Sequence, residues 1–218
     1  EYLMTLANSN YEDWRLANPN EDIDNFKFSF SKMSKAGALF DMVKLADVSK
    51  NYICRLSAEE VYEMVTDWAK ENNKKLYKLL VDDEEYAKAI FAIERGNAKP
   101  RKDISAWTDV ENYVSYFYSE LWDRKFDFPD NLSNDDMIEI LELYKQIYDE
   151  NVSSDDWFPQ VRDMAETIGY AKAPKVYKKD PDSYKGHVGD VAGVIRVAAT
   201  GRRNTPDLYE ILQVVRTK

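Results

Sequence analysis

The chain offers little from which to build a catalytic centre. Ser/His/Asp or Cys/His chemistry would have to use His187, the only histidine, which sits beside Gly186 and Gly189 at the predicted start of a helix. Cys54, the only cysteine, follows Tyr52 and Ile53 in an apolar stretch, the setting of a buried structural thiol rather than of a nucleophile. Asp82, Asp83, Glu84 and Glu85 could hold a hard cation. Four successive acids at a helix start point in different directions, however, and a dipole-stabilising first turn explains them more simply. Neither G-x-G-x-x-G nor G-x-x-x-x-G-K-[ST] occurs, which excludes nucleotide binding by those routes. No catalytic residue and no metal ligand is expected.

The segment richest in binding chemistry is a predicted helix from about His187 to Ala199. At about 100° per residue, Val188, Val191, Ala192, Ile195 and Ala199 form an apolar stripe. Arg196, Gly189, Thr200 and Gly193 then fall about 80° to 140° from Val188. That flank is a bare strip with one long cation. A flat group could approach its backbone while the guanidinium fork offers paired donors to a base edge or a phosphate. Close packing of a neighbouring helix against the glycines would explain the strip equally well.

The elements around this helix follow from composition and caps. Of 218 residues 44% are hydrophobic, enough for one large or two small cores, while only seven Gly and seven Pro leave too few turns for a many-stranded sheet. The composition predicts an all-α fold. No apolar run approaches the roughly 18 residues of a membrane span. The absence of any cysteine pair fits a reducing compartment, so a cytoplasmic protein without an export signal is expected. The opening Glu1-Tyr2-Leu3-Met4-Thr5-Leu6 is already apolar at helical spacing, and the chain is read as a piece of something longer.

Capping boxes at Ser57/Glu60 and Thr108/Glu111 open predicted helices, the second running to Leu121. Ser133 with Asp136, and Asp155-Asp156, open two more, the latter stopping at Gly169, as Gly96 stops the helix begun at the acidic cluster. Residues 172–185 read as a Lys/Pro/Tyr-rich loop, and Thr205-Pro206 as an N-cap followed by proline at the first helical position. Residues 19–40 are the least regular part, with an extended run over residues 26–30, and residues 126–131 are the best boundary, with a break expected near Pro129. Residues 1–170 carry 20 Lys/Arg against 35 Asp/Glu, whereas residues 171–218 carry ten against five, so a basic end follows an acidic body. Such an end can draw a polyanion to one face.

Two strings, about 150 residues apart, carry a resemblance. Ser34-Lys35-Ala36-Gly37-Ala38-Leu39-Phe40-Asp41-Met42-Val43-Lys44-Leu45 is similar to the segment after the catalytic domain of bacterial glutamyl-tRNA synthetases. Ile195-Arg196-Val197-Ala198-Ala199-Thr200-Gly201, followed by Thr205-Pro206-Asp207-Leu208-Tyr209-Glu210, is similar to the C-terminal anticodon-binding helices of that family. Lys32-Met33-Ser34-Lys35-Ala36 looks like the ATP-binding lysine loop of class I aminoacyl-tRNA synthetases. The 31 preceding residues cannot supply the nucleotide-binding sheet such a loop needs, and the family's true loop lies upstream of the equivalent of Tyr2.

The resemblance covers essentially the whole chain and implies two stacked helical subdomains, a superhelical anticodon-binding cage. Residues 1–56 would end the tRNA-stem contact region, and residues 57–130 and 131–218 would be the two anticodon-binding subdomains. It places Arg196, Thr205 and Leu208 at the anticodon, and more loosely Arg101, within Pro100-Arg101-Lys102-Asp103. Lys175, Lys178, Lys179, Arg202 and Arg203 become candidate tRNA backbone contacts. The family's usual Gln-Pro before the Ile-Arg pair is Gly193-Val194 here, so a base contact from that glutamine does not carry over. The implied role is readout of the tRNA(Glu) anticodon within a ligase that couples glutamate to tRNA using ATP and Mg, this chain holding no cofactor itself. The expected partner is tRNA(Glu), with no DNA and no membrane, and the expected state is a monomer. The competing class is a helical adaptor whose basic end docks an acidic protein. The weakest is an enzyme complete in itself.

Overall fold

In the computed structural model, which describes residues 1–33 and 39–216, twelve α-helices follow one another. They are α1 (Tyr2–Ala7), α2 (Tyr11–Ala17), α3 (Met42–Ile53), α4 (Ala58–Asn72), α5 (Lys74–Asp82), α6 (Glu84–Ala92), α7 (Val110–Val114), α8 (Asn134–Ile147), α9 (Ser154–Thr167), α10 (Pro174–Lys179), α11 (Val188–Thr200) and α12 (Leu208–Val215). Among the described residues there is no strand, only a single parallel bridge between Ala171 and His187, so the fold is all-α as composition predicts. Ser34 to Ala38, which open the Ser34–Leu45 string and include most of Lys32–Ala36, lie outside the described residues. No described helix is long and apolar enough to cross a membrane.

The caps explain most helix starts. The Ser57 hydroxyl accepts from the Glu60 N–H at 3.2 Å, and the Glu60 carboxylate accepts from the Ser57 N–H at 2.7 Å. That backbone donor holds the Glu60 carboxyl below its ordinary value. Ser133 and Ser153 accept from the Asp136 and Asp156 N–H groups at 3.1 and 3.2 Å. Two predicted boundaries move. Asp109 reaches back to the N–H groups of Ser105 (2.8 Å) and Ala106 (3.0 Å), so the chain turns at Trp107–Asp109, ahead of Thr108/Glu111. The helix that follows stops at Val114 rather than Leu121, because Tyr116, Phe117 and Tyr118 are all buried. Three successive inward side chains do not fit one helix face, and the backbone tightens to a 3-10 turn over Ser115–Phe117.

The molecule divides into two units, Glu1–Val114 and Ser115–Lys218. In the first, α4, α5 and α6 pack together through the fully buried Val61, Val65, Leu76, Leu80, Ile90 and Phe91. Arg95 ties this bundle to the end of α3. Its Nη1 donates to the carbonyls of Ile53 (2.8 Å) and Leu56 (2.9 Å), and its Nε donates to that of Phe91 (2.8 Å). Arg15 does the same for the N-terminal segment, bonding the Tyr11 hydroxyl, the carbonyls of Asn18 and Glu21, and the Glu1 carboxylate at 3.0 Å.

The second unit is built around α11, against which α8 and α9 both pack. Val188, Val191 and Ile195 are buried as their spacing predicts, but so are Val194 and Val197, on the other side of the helix. The helix is therefore enclosed on most of its circumference rather than along one stripe. The expected break near Pro129 lies inside this unit. Segment 115–130 is fastened to the end of α11, where the Asp127 N–H donates to the Gly201 carbonyl at 3.0 Å and Arg202 donates to the Ser115 hydroxyl at 2.8 Å.

Candidate nucleic-acid interface

The turn between α11 and α12 assembles most of the residues singled out in the sequence. Gly201 ends α11 with a φ of +77°, and a Cβ there would meet the Lys125 carbonyl oxygen at 2.4 Å, so only glycine fits. The Thr200 hydroxyl donates to the Arg196 carbonyl at 2.7 Å, which closes the far end of the predicted bare strip. Gly193 keeps the middle of the strip open, with no heavy atom within 4 Å of where its Cβ would be.

Arg196 is bound into this turn. Its Nη1 donates to the Pro206 carbonyl at 2.6 Å, to the Thr205 carbonyl at 3.3 Å, and to the Thr205 hydroxyl. Thr205 and Leu208 are 6% and 2% exposed, so both side chains serve the interior. Thr205 is also not the helix cap that its place before proline predicts. Asp207 is, accepting from the Glu210 N–H at 2.9 Å, so α12 starts at Leu208. The arginine, the threonine and the start of α12 are thus one construction, with Leu208 as its root in the core.

The five candidate backbone contacts separate into two groups. Pro174 at the first position of α10 converts part of the expected 172–185 loop into a helix, on which Lys175, Lys178 and Lys179 are exposed and have no ion pair among the described residues. The arginines instead bond other parts of the protein. Arg202 lies over the Tyr116 ring at 5.5 Å. Arg203 donates to the Asp127 carbonyl at 3.0 Å and to that of Phe128, and it pairs with the Asp127 carboxylate at 3.0 Å.

His187 caps α11. Its Nδ1 accepts from the Gly189 N–H at 2.9 Å, and Asp190 accepts from the His187 N–H at 2.8 Å. The Tyr177 ring of α10 meets the imidazole edge-on at 5.8 Å, which fixes α10 beside the start of α11. The α10 lysines and the Arg196 turn therefore flank α11 from its two ends. His187 and Arg196 are about 14 Å apart along the axis at 1.5 Å per residue. In the first unit, Arg101 grips Asp103 with two parallel bonds of 2.7 and 2.9 Å, which fix the orientation of its guanidinium. Beside it the half-buried Tyr113 phenol is pushed up to about 12 by desolvation.

The described residues include no group of three His, Cys, Asp or Glu side chains that could hold a metal ion. Lys32 ends a 3-10 turn, Phe30–Lys32, and no strand precedes it among the described residues. Residues 126–131 read in the sequence only as a boundary, although the overlapping segment 122–128 lies directly against Gly201. Its signal was an alternation of aromatic and charged residues, Trp122-Asp123-Arg124-Lys125-Phe126-Asp127-Phe128.

No family model matches the chain. It is 45% identical over 99% of its length to a glutamate--tRNA ligase of Acetivibrio thermocellus, covering 39% of that protein. A glutamate--tRNA ligase of Clostridium perfringens is 44% identical over 99% of the chain, which covers 40% of it. One of Sorangium cellulosum is 44% identical over 99% of the chain, which covers 38% of it. The chain thus spans about two fifths of the length of the curated relatives it matches, in their C-terminal part. Over 99% of its length the chain is thus similar to the C-terminal part of glutamate--tRNA ligases.

Proposed function

We propose that this chain is the tRNA-reading part of a glutamate--tRNA ligase, a class I aminoacyl-tRNA synthetase of translation, and that it binds the anticodon loop of tRNA(Glu). The observation that carries this reading is the similarity, along the whole chain, to proteins of that name. In the whole protein, glutamate is activated by ATP with Mg and joined to tRNA on residues outside this chain. The protein acts as a monomer and has no need of DNA or a membrane.

The chain's own residues divide the work of recognition. Anticodon bases leave the stack and meet the Arg196 guanidinium and the backbone at the start of α12 with their pairing edges. Thr205 and Leu208 shape this site from below without touching the base through their side chains. Lys175, Lys178 and Lys179 hold backbone phosphates and supply affinity without sequence preference. Arg101, pre-aligned by Asp103, contributes a second anticodon contact from the first unit.

The test is a tRNA(Glu) titration at two salt concentrations. Phosphate neutralisation makes affinity fall linearly with salt on logarithmic axes, with a slope of roughly 0.7 to 0.9 per contact. Absence of tRNA binding at low salt, together with capture of an acidic protein by the α10 face, would replace this reading with the adaptor.

A further inference from the structure

Phe126 is 46% exposed, yet it is not loose. Its ring is stacked on Phe128 at 5.9 Å with an interplanar angle of 14°, and Phe128 packs against the core of the second unit. Trp122 meets the same ring at 5.7 Å and 64°. A rigid, half-exposed ring costs little entropy to cover. The segment that carries it is fastened to the anticodon turn by the contacts of Arg203 and Gly201 described above, and the Gly201 Cβ position lies 3.3 Å from the Trp122 indole nitrogen.

Charge and backbone strain single out the same segment. Asp123 is paired with Lys125 at 3.3 Å, and Asp127 with Arg203 at 3.0 Å, which leaves Arg124 as the uncompensated charge. Arg124 is exposed, has no partner among the described residues, and holds a left-handed φ of +54°. An arginine rarely adopts that backbone, and such strain persists where the surroundings impose it.

We infer that segment 122–128 is a second nucleotide subsite of this interface, at which an unstacked base lies on Phe126 while Arg124 meets the adjoining phosphate. The inference rests on the RNA reading above. Its ligand is single-stranded RNA, because the bases of a duplex keep their faces covered, and base–aromatic stacking tolerates any base. The subsite adds affinity beside the Arg196 turn rather than discrimination.

The 218-residue chain is titrated with tRNA(Glu) and with heparin, a polyanion without bases. Phe126→Ala is expected to weaken tRNA binding roughly fivefold or more and to leave heparin unchanged, while Phe126→Trp restores tRNA binding. Arg124→Gly, which suits the backbone, is expected to weaken both ligands. Should Phe126→Ala lower the melting temperature, Phe126→Leu is read instead, since it keeps the apolar volume and lacks the aromatic face. Equal losses for tRNA and heparin, or an unchanged tRNA affinity, would overturn the subsite while leaving the anticodon reading in place. A wild-type chain that binds heparin but not tRNA would remove both.

Discussion

The basic end of the chain contains two kinds of cation that composition counts alike. Lys175, Lys178 and Lys179 stand on a short helix with no ion pair among the described residues, whereas Arg202 and Arg203 have their donors turned onto segment 115–130. Chemistry explains the division. A planar guanidinium can bond two carbonyls and a carboxylate at once and tolerates partial burial, while an ammonium is more strongly hydrated. A positive segment in a sequence therefore states how much charge is present, and only the partner atoms state which of it faces a ligand.

The largest effect that could break this contrast is at Gly201. An alanine there must adopt a φ of +77° and press its Cβ on the Lys125 carbonyl, so Gly201→Ala is expected to cost at least about 2 kcal/mol in urea unfolding. A smaller effect would mean that the turn and segment 115–130 move independently. The same turn contains Arg196, whose loss removes bonds to Thr205 and Pro206 besides any contact with RNA. Arg196→Ala is expected to weaken cognate tRNA by about 1 to 3 kcal/mol and to narrow the gap between cognate and anticodon-substituted tRNA, measured in the whole enzyme. Equal losses for both tRNAs would make Arg196 a positioning residue only.

Arg203 and Lys178 put the contrast to its most direct test. Arg203→Ala should lower stability by about 1 kcal/mol, a figure kept small because the side chain is 46% exposed, and should leave the salt slope of tRNA binding unchanged. Lys178→Ala should do the reverse. Its stability should stay within about 0.5 kcal/mol of the parent chain, while affinity falls alike for every anticodon and the slope shrinks by roughly one. Identical behaviour of the two variants would erase the distinction between the groups.

What the sequence makes legible follows the range of the interactions concerned. Caps act over three residues, so the starts of α4, α8 and α9 can be read from Ser57, Ser133 and the acids after Ser153. Thr205 shows the limit, because its hydroxyl is taken by an arginine nine residues earlier and the cap passes to Asp207. The early end of α7 goes with the burial of three adjacent aromatics, which periodicity along a single helix does not encode. Likewise, nothing local says that Arg203 will find carbonyls some 75 residues earlier in the chain.

Lys185 supplies the smallest and most selective test. It lies in the same basic stretch as Lys178 yet pairs with Asp136 at 2.8 Å and Glu139 at 3.1 Å, tying the start of α8 to the chain before α11. The contrast drawn above assigns it to the group that bonds the protein although it is a lysine. The bond from Lys185 holds the Asp136 carboxyl below its usual value and raises the lysine. A carboxyl so depressed stabilises the fold above its unfolded value near 4, and the contribution is lost as pH falls through the lower, folded value. The raised lysine contributes below its unfolded value near 10.4, and that contribution is lost as pH rises through the higher, folded value. Both ends are solvent-screened, so Lys185→Ala should cost less than about 1 kcal/mol at neutral pH. The difference from the parent chain should shrink as pH falls through the lowered, folded value of Asp136, below which the carboxyl is protonated in both folded and unfolded chains. The measurement is the urea midpoint against pH, paired with a tRNA salt slope that should match the unsubstituted chain. A reduced slope would move Lys185 to the phosphate-binding group and make residue type, rather than partner, the feature that sorts this segment.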